Sequence, residues 1–224
     1  MALDFSAVRD YLPAILSGLG FTILTWIVSS VGAVLLGLAV ALLRDSRFAP
    51  VRTLARIYID LLRSVPLIVQ IFIVYSGGPA IGLFLDPIPA GVLVLVLHGS
   101  AYFAEIFRGG FAAVPRGQIE AAQSFGLHPA TILRRMILPV ALPAALPALN
   151  SMIINMCKET AVLSIITVPE LTFQVQKMSI ETFAAFESML MLALCYWAMI
   201  ELFATLGTLV ERRLGRHLFM KEKK

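Results

Sequence analysis

Long apolar runs separated by short charged stretches form the dominant pattern along the chain. Residues 11–43 contain no charged side chain, and further apolar runs cover 64–85, 87–104, 136–169 and 182–210. A helix needs about 20 apolar residues to cross the hydrocarbon core of a bilayer. The pattern therefore predicts five membrane-spanning helices, at about 13–43, 57–77, 87–107, 138–167 and 184–210.

The composition supports the same class of protein. Of the 224 residues, 59% are hydrophobic and 14% are charged, and the mean hydropathy is +0.88. Soluble domains carry about 25% charged residues and could not bury so much apolar surface. We therefore expect an all-α integral membrane protein in which residues 1–224 form one transmembrane domain. The two cysteines, Cys157 and Cys195, lie in apolar runs and are expected to be small buried residues.

The basic residues are unevenly distributed between the two sides of the predicted spans. One side carries only Arg9 and Lys177. Cytoplasmic loops of membrane proteins are enriched in Lys and Arg. This distribution predicts a periplasmic N-terminus and a cytoplasmic C-terminus, and it attributes the net charge of +4 to topology and not to nucleic-acid binding. The basic residues on the predicted cytoplasmic side are Arg44, Arg47, Arg52, Arg56, Arg108, Arg116, Arg134, Arg135, Arg212, Arg213, Arg216, Lys221, Lys223 and Lys224.

Two short helices are predicted in the loop between the third and fourth spans, at about 115–137. Pro115 is suited to the start of the first helix, because its missing N–H would have no partner there. Gly126 is suited to a left-handed cap after that helix, and Pro129 can begin the second helix. From these residues alone, helices that merely rest on the lipid surface are an equally good interpretation.

The same loop resembles a known motif. Glu120, Ala121 and Ala122, followed by Gly126 and then by Leu138-Pro139, resemble the EAA loop in permease subunits of bacterial ABC importers. The family pattern has Ile two residues before the Leu-Pro pair, where this chain has Met136. The stretches FRGGFAAVPRGQIEAA, LLRSVPLIVQIF and KETAVLSIITVPEL resemble the polar amino acid branch, which imports histidine, glutamine, glutamate, arginine, lysine or opines. The resemblance covers residues 18–210.

The resemblance implies a type I ABC importer permease fold in the bacterial inner membrane. It implies that the loop at 115–137 forms coupling helices, which dock on a separate dimer of ATP-binding subunits. The implied partners also include a second permease chain, identical or paralogous, and a periplasmic or lipid-anchored solute-binding protein. The implied substrate is an amino acid, and ATP and Mg²⁺ would be bound by the ATPase and not by this chain.

The chain carries no recognisable catalytic motif. It has no Gly-Lys pair, and so no Walker-type phosphate-binding loop, and its histidines, His98, His128 and His217, are scattered and form no HExxH motif. We therefore expect neither an enzyme nor a metal site. The alternative function is a secondary transporter of polar solutes working without an ATPase, for which an internal repeat would be expected; none is seen in the sequence.

Two adjacent charges interrupt the fourth apolar run. Inserting charged side chains such as Lys158 and Glu159 into a membrane is energetically unfavourable, so these two residues are candidates for the solute pathway. Neighbours in a helix do not face each other, so each needs its own partner. Thr160 and Ser164 follow at a spacing that would place both hydroxyls on one helix face. The resemblance assigns this stretch to the solute path, with Glu159 facing an ammonium or guanidinium group and Lys158 a carboxylate; a structural ion pair with another span is the alternative.

Other polar residues within the spans are interpreted more conservatively. Gln70 and Tyr75 in the second span could contact a zwitterion, although Tyr75 is also typical of the aromatic belt at a membrane interface. Arg63 is expected at the cytoplasmic end of that span, in a structural role. Glu105 and Arg108 are expected to form an i,i+3 pair.

Three prolines begin the fourth span at a spacing of four residues, at Pro139, Pro143 and Pro147. A proline inside a helix removes one backbone hydrogen bond and favours a kink. The spacing therefore predicts a bent or unwound segment between the loop and Lys158-Glu159.

Overall fold

The computed structural model describes residues 6–219, which contain helices and no strand. Lys221, Lys223 and Lys224, which contribute to the predicted orientation, lie outside these residues. The helices are α1 (Ser6–Arg44), α2 (Ala49–Ser64), α3 (Leu67–Tyr75), α4 (Pro87–Ala112), α5 (Arg116–Ser124), α6 (Pro129–Ile132), α7 (Leu138–Glu159), α8 (Leu171–Thr182) and α9 (Ala185–Phe219). Short 3₁₀ segments lie at Gly78–Ile81 and Thr160–Ile166, and a π-helical turn lies at Leu133–Ile137.

Four helical stretches of the described chain are long and apolar enough to cross a membrane. The helices α2 and α3 pass the same test together, which gives a fifth span if the pair is counted as one. The prediction of a multi-pass, all-α membrane fold is confirmed. The four unbroken stretches are Arg9–Arg44, Pro87–Ala112, Pro129–Ile166 and Ala185–Glu211.

The range expected for the second span, 57–77, contains a sharp corner. The axes of α2 and α3 differ by 107° across Val65-Pro66. Val65 is extended, with φ −92° and ψ 128°, as is usual for a residue before proline. The Gln70 side chain donates from Nε2 to the carbonyls of Leu62 and Val65, at 2.8 Å each. These bonds satisfy carbonyls that the broken helix leaves without a backbone donor, and they hold α3 against the end of α2.

The core lies where α1, α4 and α7 pack together. Ala33 of α1, Phe103 of α4 and Met156 of α7 are fully buried in one apolar cluster. Trp26 of α1 donates from Nε1 to the carbonyl of Ile153 in α7 at 2.7 Å. The three helices therefore form a connected scaffold, and α1 carries α8 on its N-terminal half.

A buried carboxylate begins α8. Glu170 is fully buried and accepts hydrogen bonds from the backbone N–H groups of Thr172 and Phe173, at 2.8 and 2.7 Å. This is the bonding of a helix N-cap. Burial raises the pKa of the Glu170 carboxyl above its ordinary value, and the two N–H donors act in the opposite direction.

The helices α4 and α7 meet at the base of the loop that joins them. A methyl group placed on Gly110 would lie 2.6 Å from the carbonyl oxygen of Ala141 and 3.1 Å from Cβ of Ala145. The two backbones can approach this closely only because residue 110 has no side chain. The contact closes the loop at 113–137 and fixes where its two ends leave the membrane domain.

The segment between this loop and α7 is helical and not unwound. The π-helical turn at Leu133–Ile137 leads directly into α7, and Pro143 and Pro147 lie inside that helix. The chain keeps its helical path past each proline, and the local widening is concentrated in the turn before Leu138. A π turn inside helical structure often marks a functional position.

Candidate solute pathway and coupling loop

One face of α7 is exposed and polar. Ser151, Asn155 and Lys158 are spaced four and three residues apart, which places them on one side of the helix, and all three are exposed. Lys158 makes no ion pair or hydrogen bond with the other residues that the structure describes. A lysine facing lipid at a span centre costs about 3 kcal/mol on insertion scales. This face therefore belongs against water or another protein chain and not against lipid.

Glu159 turns away from Lys158 and toward the protein. Its side chain is 18% exposed, and its Oε1 accepts a hydrogen bond from Nδ2 of Asn155 at 2.8 Å. The same oxygen lies 3.8 Å from Nε2 of His98 in α4. The other oxygen, Oε2, is buried and has no hydrogen-bond partner among the described residues. The carboxylate is thus held on one side and unsatisfied on the other.

Thr160 and Ser164 do not share a face as their spacing suggested. They lie in the 3₁₀ segment that follows α7, where three residues make one turn, so residues four apart are not aligned. Thr160 is buried and donates to the carbonyl of Cys157 at 2.7 Å, and Ser164 donates to the carbonyl of Ala161 at 2.8 Å. Both hydroxyl protons are therefore used by the local backbone.

Gln70 and Tyr75 occupy different surroundings at the two ends of α3. Gln70 is 6% exposed, and besides its two carbonyl acceptors its Nε2 lies 3.0 Å from Nδ1 of His98. Tyr75 is half-buried against the core at the end of α3. Of the residues proposed for the pathway, the structure thus brings Gln70 and Glu159 to the same histidine.

His98 is the residue that the sequence-based interpretation missed. It was one of three scattered histidines, with no motif around it. It is 5% exposed in α4 and contacts both Gln70 and Glu159. The available signal was its position, since a histidine in the middle of an otherwise apolar span is a candidate for function by default.

A second charged cluster lies where α1, α2 and α4 approach each other. Glu105 pairs with Arg108 at 2.7 Å, as the i,i+3 spacing predicts, and also with Arg44 of α1. Arg63 of α2 stands 3.9 Å from the same carboxylate and 5.4 Å from the ring centre of Tyr102. One carboxylate therefore joins three helices, and Arg63 lies beside it at the end of α2. That this is the cytoplasmic end stays a prediction.

The loop between α4 and α7 presents an apolar tip. Gly126 has φ +71°, a left-handed conformation that suits glycine and turns the chain between α5 and α6. Phe125 beside it is 85% exposed, while Ala122 of α5 and Ile132 of α6 are buried. Glu120, Ala121 and Pro139 are exposed, and Leu138 is half-buried.

Several long apolar helices, a carboxylate within a span and an exposed polar helix face together define a multi-pass membrane transport protein. The chain belongs to the family of binding-protein-dependent transport system inner membrane components, whose sequence model matches residues 33–216. It is 33% identical over 206 residues to the probable amino-acid ABC transporter permease YckA of Bacillus subtilis (strain 168), covering 92% of this chain and 91% of that protein. The arginine transport system permease ArtQ of the same organism is 32% identical over 215 residues, covering 96% and 98%.

Solved structures show the same fold. An amino acid ABC transporter crystallised with histidines matches with a TM-score of 0.88 at 38% identity, covering 95% of this chain and 100% of that one. An inward-facing MetNI methionine ABC transporter matches with a TM-score of 0.77 at 19% identity, covering 90% and 96%, and shows the fold alone. The predicted ABC importer permease family, its fold and its location in the bacterial inner membrane are confirmed. The orientation stays a prediction.

Proposed function

We propose that this chain is the permease subunit of an ATP-driven amino acid importer and forms half of its translocation pathway. The observation that carries the proposal is the exposed polar face of α7, Ser151, Asn155 and Lys158, beside the inward carboxylate of Glu159. A polar face in a membrane span needs water or protein against it. A second permease chain, identical or paralogous, would provide the other wall.

The chemistry of this face matches an amino acid. The unsatisfied oxygen of Glu159 is buried in this conformation and would accept hydrogen bonds from an ammonium or guanidinium group once the pathway opens. The exposed ammonium of Lys158 can pair with a carboxylate. The relatives named for arginine, glutamine and cystine transport differ in the side chains of their solutes but share the zwitterionic backbone group. We infer that Glu159 favours solutes with a cationic side chain. The hydroxyls of Thr160 and Ser164 donate to nearby backbone carbonyls, and Tyr75 packs against the core. These three residues would therefore act through packing near the pathway.

The loop at 113–137 is proposed as the joint with the ATPase. On the predicted orientation it lies on the cytoplasmic side, with Phe125 exposed at its tip and Glu120 exposed on α5. An exposed phenylalanine can fill an apolar groove on a dimer of ATP-binding subunits, which would bind ATP and Mg²⁺. The close contact of α4 with α7 would carry movement of the loop into α7 and toward Lys158-Glu159. A solute-binding protein would deliver the amino acid from the opposite side.

The coupling proposal is tested by a matched pair of glycine substitutions in the assembled, reconstituted complex. Gly126→Ala places a side chain in a left-handed conformation, at a cost of roughly 1 kcal/mol, whereas Gly117→Ala falls inside helix α5 with no atom within 4 Å. We expect Gly126→Ala to lower both ATP hydrolysis and uptake while the permease still inserts. Uptake and ATPase activity that are unchanged in Gly126→Ala and in Glu120→Ala would overturn the loop as the joint.

The pathway proposal is tested by Glu159→Gln, which keeps the shape of the side chain and removes its charge. We expect uptake of a cationic amino acid to fall at least tenfold, about the value of one charge-assisted hydrogen bond. Glu181→Gln is the control, because Glu181 is exposed at the end of α8 and is not part of the α7 face. Uptake driven by an ion gradient without ATP would favour the secondary transporter instead.

A further inference from the structure

Three polar side chains, Gln70, His98 and Glu159, follow one another from the α2–α3 corner to the end of α7. Nε2 of Gln70 reaches the carbonyls of Leu62 and Val65 at 2.8 Å and Nδ1 of His98 at 3.0 Å. On the other side of the imidazole, Nε2 of His98 faces Oε1 of Glu159 at 3.8 Å. Three separate segments of the chain thus meet at one buried ring.

The contacts of Gln70 determine where the proton of His98 lies. The Gln70 amide cannot be flipped, because its oxygen would then face two carbonyl oxygens. The amide nitrogen, whose two hydrogens point to the two carbonyls, therefore faces Nδ1. Because an amide nitrogen accepts no hydrogen bond, a proton on Nδ1 would have no acceptor there. A neutral imidazole carries one proton, so the proton of His98 is on Nε2, the nitrogen that faces Glu159.

We propose that His98 is a positioning residue for Glu159, with Gln70 fixing its tautomer. The Nε2–H of His98 and the NH₂ of Asn155 both face Oε1, so the carboxylate is oriented through that oxygen. The remaining oxygen, Oε2, is buried in this conformation and has no hydrogen-bond partner among the described residues, so a cationic group of the solute would reach it only after the surrounding helices move. This inference rests on the proposed role of Glu159 in the solute pathway.

The distance of 3.8 Å exceeds the 2.7–3.2 Å of a hydrogen bond. In this conformation the histidine therefore makes no hydrogen bond to the carboxylate, although its Nε2 faces Oε1. Glu159 is the last residue of α7 and is followed by the 3₁₀ segment, so a small change at this junction brings the two groups into bonding distance. The geometry assigns His98 an effect on solute affinity and not on the ATPase step.

The first experiment measures the uptake KM of a cationic amino acid in the complete complex reconstituted in vesicles. We expect His98→Phe to raise KM roughly tenfold with kcat unchanged, about the loss of one hydrogen bond to a charged group. His98→Gln should restore a KM near that of the unaltered complex, because its amide can present an N–H to Oε1. In the Glu159→Gln background, His98→Phe should add little further change.

The second experiment observes the tautomer directly by ¹⁵N NMR of histidine-labelled complex in nanodiscs, with His98→Gln identifying the His98 signals. We expect a protonated Nε2 and a bare Nδ1, and a mixture of tautomers in Gln70→Leu. A proton on Nδ1 would overturn the proposal. The proposal would also be overturned if His98→Phe raised KM by the same factor in the Glu159→Gln background as in the unaltered complex. That result would indicate a role of His98 in packing alone.

The two proposals fail in different ways. If Glu159→Gln leaves uptake unchanged, the solute role of Glu159 fails, whereas the tautomer measurement still reports on the His98–Gln70 contact. If Glu159→Gln abolishes uptake while His98→Phe changes neither KM nor kcat, the positioning role of His98 is refuted and the pathway role of Glu159 stands.

Discussion

Gly109 and Gly110 are adjacent residues of α4 with opposite surroundings, and they provide a sharp test of the α4–α7 contact. A methyl group on Gly110 would lie 2.6 Å from the carbonyl oxygen of Ala141, whereas one on Gly109 would meet no atom within 4 Å. We expect Gly110→Ala to destabilise the protein and Gly109→Ala to stabilise it.

The magnitude follows from two opposing contributions. Replacing a glycine by alanine inside a helix favours the folded state by about 1 kcal/mol at either position. At Gly110, the contact would be well below the 3.4 Å at which ordinary van der Waals contact begins. Overpacking of this kind costs about 1–3 kcal/mol, and the opposing atom belongs to a helix backbone, so no rotamer change relieves it. The two variants should therefore differ by about 1–3 kcal/mol in their free energy of unfolding.

The assay compares both variants with the unaltered chain in the same lipid nanodiscs, as assembled complexes. Thermal unfolding gives the stability, and ATP hydrolysis stimulated by the solute-binding protein gives the coupling. Because the Gly110 contact closes the base of the loop at 113–137, we expect Gly110→Ala to reduce both quantities. Gly109→Ala should retain coupling, since its added methyl group meets nothing in this chain.

Equal stabilities of the two variants, within about 0.5 kcal/mol, would refute the reasoning, because they would show that α4 and α7 separate without cost. A loss at Gly109 as large as that at Gly110 would also refute it. That result would place the close contact against lipid or a partner chain and not against α7.

Two further predictions concern contacts between the helices. Glu105→Gln should lower the free energy of unfolding by about 1–3 kcal/mol, because it leaves several arginines without their carboxylate. Arg108→Gln removes one half-exposed partner and should cost under about 1 kcal/mol. Thermal unfolding distinguishes the two variants, and equal losses would contradict a shared role for Glu105. Trp26→Phe should cost about 1 kcal/mol through loss of the hydrogen bond to the carbonyl of Ile153, measured in the same assay, and an unchanged stability would show that water replaces the indole.

The helices were predictable where a local rule is sufficient. An apolar run of 33 residues before Arg44 can only be satisfied in a bilayer as a helix, and the structure has one there. Gly126 and Pro129 specify their turn by the backbone conformations open to glycine and proline. The Glu105–Arg108 pair follows from spacing alone.

The remainder depends on residues that are distant in sequence. The pair of Arg44 and Glu105 and the line from Gln70 through His98 to Glu159 exist only once α1, α3, α4 and α7 are packed. Thr160 and Ser164 would share a face in an α-helix, and the change to a 3₁₀ segment has no signature in their own sequence. Pro66 signals a break between α2 and α3, but the angle of 107° is set by what each helix packs against.

The α2–α3 corner has a consequence for how the chain enters the membrane during its synthesis. The nine residues of α3 form a helix about 14 Å long, against a hydrocarbon core of about 30 Å. The preceding α2 carries Arg52, Arg56 and Asp60, which oppose insertion on their own. We therefore expect α1 and α4 to insert into the membrane independently, and the segment between them to insert only after they have packed together. Substitutions that weaken α1–α4 packing should reduce the amount of inserted protein before they affect its transport rate.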